Sequence, residues 1–234
     1  MLERLNKILA SAGVASRRQI DTMIASGHIK VNGQPAQLGQ KIDPQTDKVS
    51  VNRQILDLAS KPGAFEYWLV NKPRGVISTA KDSHGRDEVV GMVKSQARLY
   101  PVGRLDSDSE GLILLTNDGD LAYRLTHPKF EVPKTYEVTL VQTIGDTQLQ
   151  EMERGIRLDG RSTAPAQIKR LGDKSFAITI TEGRKRQIRR MCGVLGFGVA
   201  RLVRVCLAGL KLGALKSGQS RVLTEEEVET LIAR

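Results

Sequence analysis

The chain has 234 residues, 40% hydrophobic and 26% charged, enough to bury a core in one or two domains. Lysine and arginine outnumber aspartate and glutamate 36 to 26, and this surplus of +10 favours a polyanionic partner, because neutralised phosphates release counterions. No apolar run approaches the roughly 18 residues of a membrane span, and the opening MLERLNKILASAG has charges at 3, 4 and 7 where a signal peptide needs an apolar core.

In chain order, Leu2, Leu5, Ile8 and Leu9 form one helical stripe over residues 2–12, which Gly13 ends. Ser16 opens a second helix, with Gln19 completing a capping box, Ile20, Met23 and Ile24 on the buried face, and Gly27 as the stop. His28–Gly33 alternates and turns at Asn32-Gly33, which predicts a hairpin. A short strand follows at Lys48–Val51. With Arg4, Lys7, Arg17, Arg18 and Lys30, residues 1–58 read as a compact basic module. Residues 59–64 (ASKPGA), polar and broken by Pro-Gly, read as a linker to a second domain over 65–234.

Beyond the linker, strand patterns occupy Tyr67–Asn71, Leu112–Thr116, Thr135–Val141 and Phe176–Thr181. Two helices follow: Arg184–Leu195, with Ile188, Met191, Cys192 and Leu195 at helical spacing, and Thr224–Ala233, opened by a Thr224–Glu227 capping box. The expected fold class is α+β, its larger domain built on a mixed, largely antiparallel central sheet.

Four segments carry candidate chemistry. Gly103-Arg104-Leu105-Asp106 is a glycine-flanked loop of the kind that presents side chains. In an extended chain Arg104 and Asp106 project to one side, where the arginine keeps the carboxylate ionised for work as nucleophile or base. Alone, the tetrapeptide more often marks a surface ion pair. Residues 184–190 hold five basic side chains, and Glu182–Lys211 holds eight against one acid, which reads as a phosphate-binding patch at a helix start rather than a solvated face. Tyr136 shares a strand face with Val138 and Leu140, and two readings stand side by side: a core tyrosine, or one that stacks on a flipped-out base. Lys72-Pro73-Arg74-Gly75 reads as a structural turn.

The absences also discriminate. His28, His84 and His127 stand apart, without metal-ligand spacing, and His127 before Pro128 reads as a loop residue. Cys192 and Cys206 make neither a ligand cluster nor a disulfide framework and read as buried small hydrophobes in a reducing cytoplasm. No Walker loop and no glycine-rich dinucleotide or methyl-donor loop follows a strand, which argues against nucleotide-dependent or methyl-transferring chemistry.

Taken in order, NKPRG (71–75), VGRLDSDSEGLILLTNDG (102–119), KTYEV (134–138) and TEGRKRQIRRM (181–191) resemble the motif set of the ribosomal small-subunit/large-subunit branch of pseudouridine synthases. LNKILASAGVASRRQI through IKVNG resembles the S4 RNA-binding domain, two helices and a short hairpin. The resemblance implies isomerisation of uridine in ribosomal RNA or a pre-ribosomal particle, 23S rather than 16S, without metal or cofactor. A cytoplasmic protein with no membrane partner is expected from its cysteines and its lack of an apolar run, and a monomer from the lack of a leftover apolar surface stripe. It implies that Asp106 engages the uridine, that Tyr136 stacks on the base and assists proton removal at C5, and that Arg189 pairs with the aspartate. Arg104 helps hold the nucleotide flipped out, and Arg184 adds to the pocket. Lys72, Arg186 and Arg190, with Arg17, Arg18 and Lys30 of the S4-like module, complete the expected RNA contacts, Lys72 and Pro73 being more structural than chemical. The chain ends soon after its last predicted helix, so a C-terminal extension that refines target choice is not expected. The competing readings are a non-catalytic S4 ribosome-binding factor, which would have lost the aspartate, tyrosine or arginine, and an S4-fused methyltransferase, which would need the missing glycine-rich loop.

Overall fold

The computed structural model describes residues 1–58, 64–79 and 87–233, and residues 59–63 of the expected linker lie outside that range, as does His84. The chain divides into two compact units, Met1–Phe65 with Gln96–Arg98, and Glu66–Ser95 with Leu99 onward.

The first unit opens with the strand β1 (Glu3–Arg4), followed by helices α1 (Leu5–Ser11) and α2 (Arg17–Ala25). Strands β2 (Ile29–Val31), β3 (Gln34–Pro35), β5 (Val49–Val51) and β6 (Gln54–Leu56) form an antiparallel sheet, while β1 pairs with β4 (Lys41–Ile42). The helix expected from residue 2 thus begins at Leu5. Leu2 is 64% exposed, because Glu3 and Arg4 are drawn into pairing with Ile42 and Lys41, and only Leu5 and Leu9 of its stripe are fully buried. Ser16 caps α2, its hydroxyl accepting from the Gln19 N–H while the Gln19 amide oxygen accepts from the Ser16 N–H. The Asn32-Gly33 turn is left-handed at both residues (φ 51° and 82°), the conformation that a two-residue hairpin of this twist requires. Ile20, Ile24, Ile29, Val31, Ile42 and Val49 close the core against α1.

The second unit is a nine-stranded sheet. Its strands are β7 (Tyr67–Lys72), β8 (Tyr100–Val102), β9 (Glu110–Thr116), β10 (Lys134–Leu140), β13 (Gln167–Gly172), β14 (Ser175–Ile180), β15 (Val199–Leu207), β16 (Leu210–Lys211) and β17 (Ser220–Val222); a small hairpin, β11 (Arg157–Leu158) with β12 (Arg161–Ser162), stands apart. The order is β13-β14-β10-β15-β9-β7-β17, with β16 on β15 and β8 on β9. Every pairing is antiparallel except β15 with β9, so the sheet is mixed and largely antiparallel. Four helices cover it: α3 (Gly119–Thr126), α4 (Asp146–Arg154), α5 (Gln187–Val194) and α6 (Glu225–Ile232). The first two have no counterpart among the elements expected from the sequence, and α5 starts three residues later than predicted, because Arg186 is left-handed (φ 51°) and Arg184–Arg186 form a loop. The capping box of α6 is present.

The parallel junction splits the interior in two. One core gathers β10, β14, α4 and α5 around Val138, Phe176, Ile178 and Met191; the other gathers β7, β9, α3 and α6 around Leu69, Leu112, Leu114 and Leu121. Val102 belongs to the second core and Leu105 to the first, so the loop between them crosses from one half to the other. Cys192 is buried, and burial raises its thiol pKa to about 12; Cys206, expected to be buried, is only half-buried.

At the junction Gly111 stands opposite Arg204. A Cβ at Gly111 would lie 2.3 Å from the Arg204 carbonyl oxygen, and φ there is +103°. Gly111→Ala is therefore expected to destabilise the protein by about 3 kcal/mol, since backbone atoms cannot give way as a flexible side chain would. Denaturant unfolding checks this, and a loss below about 1 kcal/mol would show that the junction tolerates a wider spacing.

Candidate active site

The loop from Gly103 to Ser109 leaves β8 and returns into β9 at the parallel junction. Three contacts pin it. The Ser78 hydroxyl donates to the Leu105 carbonyl (2.8 Å) and accepts from the Leu105 N–H (3.0 Å). The Gly75 N–H, in the NKPRG turn, donates to the Ser107 carbonyl (2.7 Å), and the Ser109 N–H to the Asp106 carbonyl (3.0 Å). With the Leu105 side chain sunk in the core, Arg104 is exposed and Asp106 half-exposed, the alternation anticipated for an extended chain.

Asp106 faces an open cavity of about 490 Å3. Arg104, Tyr136, Lys185 and Arg186 line it, together with the backbone-rich loop Gly183–Arg184. Leu105, Ile180, Ile188 and Leu202 supply its apolar surface. Tyr136 packs in the core beside Val138, as the first of its two readings expects, and it also lines the cavity. The combination is one carboxylate, one phenol and an apolar wall, with cations at the rim, and it suits a flat, partly polar ring carried on a phosphate backbone.

The arginines around it are ordered by acids from other segments. Arg186 donates both terminal nitrogens to the Asp108 carboxylate (2.9 and 2.8 Å) and lies 3.9 Å from Asp106. Its fork holds the Asp108 carboxyl below the usual carboxylate range. Arg189 is expected from the sequence to pair with Asp106; instead its Nη2 donates to the Asp108 carbonyl (2.8 Å), its Nη1 to the Val199 carbonyl (3.0 Å), and its Nε lies 3.4 Å from the Asp108 carboxylate. Both arginines thus reach the loop, but at Asp108, and Arg186 is the nearer of the two to Asp106, at 3.9 Å. Arg184 is tied to Glu182 and to the Arg161 and Ser162 carbonyls, and Arg190 to Asp159.

The basic run is therefore not a free phosphate-binding face. Arg184, Arg186, Arg189 and Arg190 have partners, Arg201 pairs with Glu110, and Arg204 is buried with its Nε donating to the Leu112 carbonyl. Among the described residues lining the cavity, Arg104 and Lys185 are the cations without a partner. Local counting misses this because the neutralising acids Asp108, Glu110 and Asp159 come from distant stretches. Ser78 carries no local signal that would single it out. In the first unit Arg17, Arg18 and Lys30 are all exposed, Arg17 donating to the Asn6 side chain (3.3 Å).

Lys72 must be removed from the expected RNA contacts. Its side chain is 0% exposed, and its ammonium donates to the Pro73 (2.9 Å) and Val76 (2.7 Å) carbonyls, closing the NKPRG turn from within. Burial lowers its pKa to about 8, against the opposing pull of Glu110, Asp108 and Asp106. His28, His127, Cys192 and Cys206 do not line the cavity, and among the described residues no group of three or more His, Cys, Asp or Glu could hold a metal ion. No helix of the described residues is long and apolar enough to cross a membrane.

Residues 66–193 match the family model described as RNA pseudouridylate synthase, and residues 3–49 match the S4 domain. The chain is 44% identical over 99% of its length, and 96% of the relative's, to ribosomal large subunit pseudouridine synthase B of Bacillus subtilis. It is 36% identical, over 96% of its own length and 77% of the relative's, to the dual-specificity RNA pseudouridine synthase RluF of Escherichia coli. A crystal structure of a pseudouridylate synthase superposes with a TM-score of 0.72 at 32% identity, covering 97% of this chain and 99% of the other.

The buried ammonium has a consequence for stability. A lysine whose folded pKa is about 8 and whose unfolded pKa is near 10.5 binds fewer protons folded than unfolded between those values. Its destabilising contribution is complete below pH 8 and is relieved as pH rises towards 10.5. The stability of the native protein should therefore rise relative to Lys72→Met across that window, by up to about 3 kcal/mol. Parallel pH–stability curves for the two proteins would refute it.

Proposed function

Because the chain belongs to the RNA pseudouridylate synthase family, as an isomerase that converts uridine to pseudouridine in RNA, we propose that its substrate is ribosomal RNA, that of the large subunit, and that Asp106 is the reacting carboxylate. The single observation behind the assignment of Asp106 is its position: it is the carboxylate lining the cavity, on a loop pinned by Ser78 and Gly75, in a lining it shares with Tyr136. The large-subunit assignment rests on the 44% identical relative, whose name specifies that subunit. Ribosomal RNA in the cytoplasm, acted on by a monomer, is the setting in which this reading places the protein.

The reaction exchanges one bond for another. The N1–C1′ bond breaks, the base turns, C5 bonds to C1′, and the proton on C5 leaves while N1 gains one. Nothing is oxidised and no group leaves, so the protein must supply a nucleophilic or basic carboxylate, hold the detached ring, and move one proton. Asp106 engages the uridine. Tyr136, in the wall of the cavity, stacks on the ring and presents its hydroxyl towards C5. The apolar side chains Leu105, Ile180, Ile188 and Leu202 keep bulk water from the intermediate. Arg186, 3.9 Å from Asp106, offsets its charge.

Extraction of the uridine from a folded RNA costs a few kcal/mol, and the rim cations return it through phosphate contacts. Arg104 and Lys185 are free for this. Arg184 and Arg190 lie in ion pairs of at most about 1 kcal/mol when solvent-exposed, which a phosphate can displace. Arg17, Arg18 and Lys30 give the S4 domain its own exposed set.

Pseudouridine should be mapped across both ribosomal RNAs in cells lacking the gene, rescued by the native protein or by Asp106→Asn. One large-subunit site should vanish on deletion and return with the native protein alone, the variant being slower by about a thousandfold or more. A site in small-subunit RNA would overturn the subunit assignment, and rescue by Asp106→Asn would remove Asp106 from the chemistry. Replacing Arg17, Arg18 and Lys30 together by alanine should reduce the salt slope of RNA binding by about 2, at roughly 0.7–0.9 per phosphate contact. An unchanged slope would take these three residues out of the RNA interface.

A further inference from the structure

We propose that Asp108 is a positioning residue for the isomerisation, acting only through Arg186 and Arg189, which it holds beside Asp106 without letting them close on it. The proposal rests on the reading of Asp106 as the reacting carboxylate. Asp108 does not line the cavity, so any effect on the reaction must be transmitted.

Asp106 and Asp108 stand two residues apart on one turn, and both face Arg186. The guanidinium gives its paired nitrogens to Asp108 at 2.9 and 2.8 Å and keeps 3.9 Å from Asp106. A guanidinium fork matches a carboxylate in two parallel hydrogen bonds, and one fork can serve only one carboxylate that way. Asp108 thus takes the fork and leaves the Asp106 oxygens unengaged by it, with a positive charge still 3.9 Å away. Were Asp108 neutral, the nearest carboxylate for the same fork would be Asp106. A reacting group so engaged must shed two charge-assisted hydrogen bonds before it can meet the uridine.

The second arm concerns Arg189, whose side chain is only 11% exposed. A cation that buried needs a compensating charge. It has the Asp108 carbonyl at 2.8 Å and the Asp108 carboxylate at 3.4 Å. Asp108 therefore fastens the 106–109 turn to α5, which carries Arg189, and to the loop that carries Arg186. An ordinary stabilising ion pair would also hold these parts together. What separates the two roles is whether the loss of Asp108 depends on the presence of Arg186.

The test uses the full chain, single-turnover pseudouridine formation on an unmodified large-subunit rRNA transcript with enzyme in excess, RNA binding, and thermal unfolding. The proteins are native, Asp108→Asn, Asp108→Ala, Arg186→Ala and Asp108→Ala/Arg186→Ala. Asp108→Asn, which keeps the shape and removes the charge, should slow the reaction by on the order of 10- to 100-fold, with RNA affinity changed less than about threefold. Asp108→Ala should be slow as well. The double variant should be no slower than Asp108→Ala, because the arginine that would close on Asp106 is gone. Multiplying losses in the double variant would overturn the proposal, as would rate losses that merely follow the melting temperatures, or a full rate in Asp108→Asn. A native protein silent on both ribosomal RNAs would instead sink the functional reading, and Asp108 with it.

Discussion

The close approach of Gly111 to the Arg204 backbone is the constraint from which the rest of the second unit follows. It lies in the one parallel pairing of an otherwise antiparallel sheet, where β9 meets β15. A glycine there lets the strands come together with no side chain between them. The two halves of the sheet each have their own hydrophobic core, and this seam joins them into one surface. The loop that carries Asp106 is the chain's way of entering that seam. Its position is thus set by the sheet rather than by the loop's own sequence.

Register makes the same point across five strands. Lys72 of β7 is opposite Gly111 of β9, Gly111 is opposite Arg204 of β15, Arg204 is opposite Tyr136 of β10, and Tyr136 is opposite Ile178 of β14. Three of the sequence motifs therefore meet in one row. Lys72 and Arg204 are both buried cations, and their neighbours are mostly main-chain carbonyls. Burying charge is costly, and here the cost is accepted where the ammonium closes the NKPRG turn and the guanidinium bonds across the seam. A slip of one residue in the pairing of β10 with β15 would turn Tyr136 from the cavity to the other face.

The sequence carries most of this in its local signals. Capping boxes at Ser16 and Thr224 and the Asn32-Gly33 turn depend on side chains three residues apart or fewer, and each appears as expected. Helices α3 and α4 escape a local reading because α3 is capped by Asp118 inside a run that reads as a motif, and α4 is a strongly polar stretch with only Leu149 and Met152 fully buried. The strand at Glu3–Arg4 looks helical in sequence because its partner, Lys41–Ile42, lies almost forty residues on. The motif order makes the family legible; the arrangement of the site is legible only in part. Asp106, Tyr136, Arg104, Arg184 and Arg186 do share a cavity, while Lys72 is buried within the NKPRG turn and Arg189 turns to Asp108.

What the sequence could not disclose is the division of labour among acids. Asp106, Asp108 and Glu110 alternate along one stretch and look alike there. In the structure they part company, since Asp106 faces the cavity, Asp108 takes the Arg186 fork, and Glu110 takes the Arg201 guanidinium. Of the three, Asp106 has no arginine hydrogen-bonded to it among the described residues, its nearest arginine being Arg186 at 3.9 Å. A lone carboxylate among unpaired arginines would be captured by one of them; acids of the same chemistry, two and four residues along, take up the guanidinium forks instead. It also explains why a basic run so dense can sit beside Asp106: its charge is largely neutralised by partners, and the cation left over in it is Lys185.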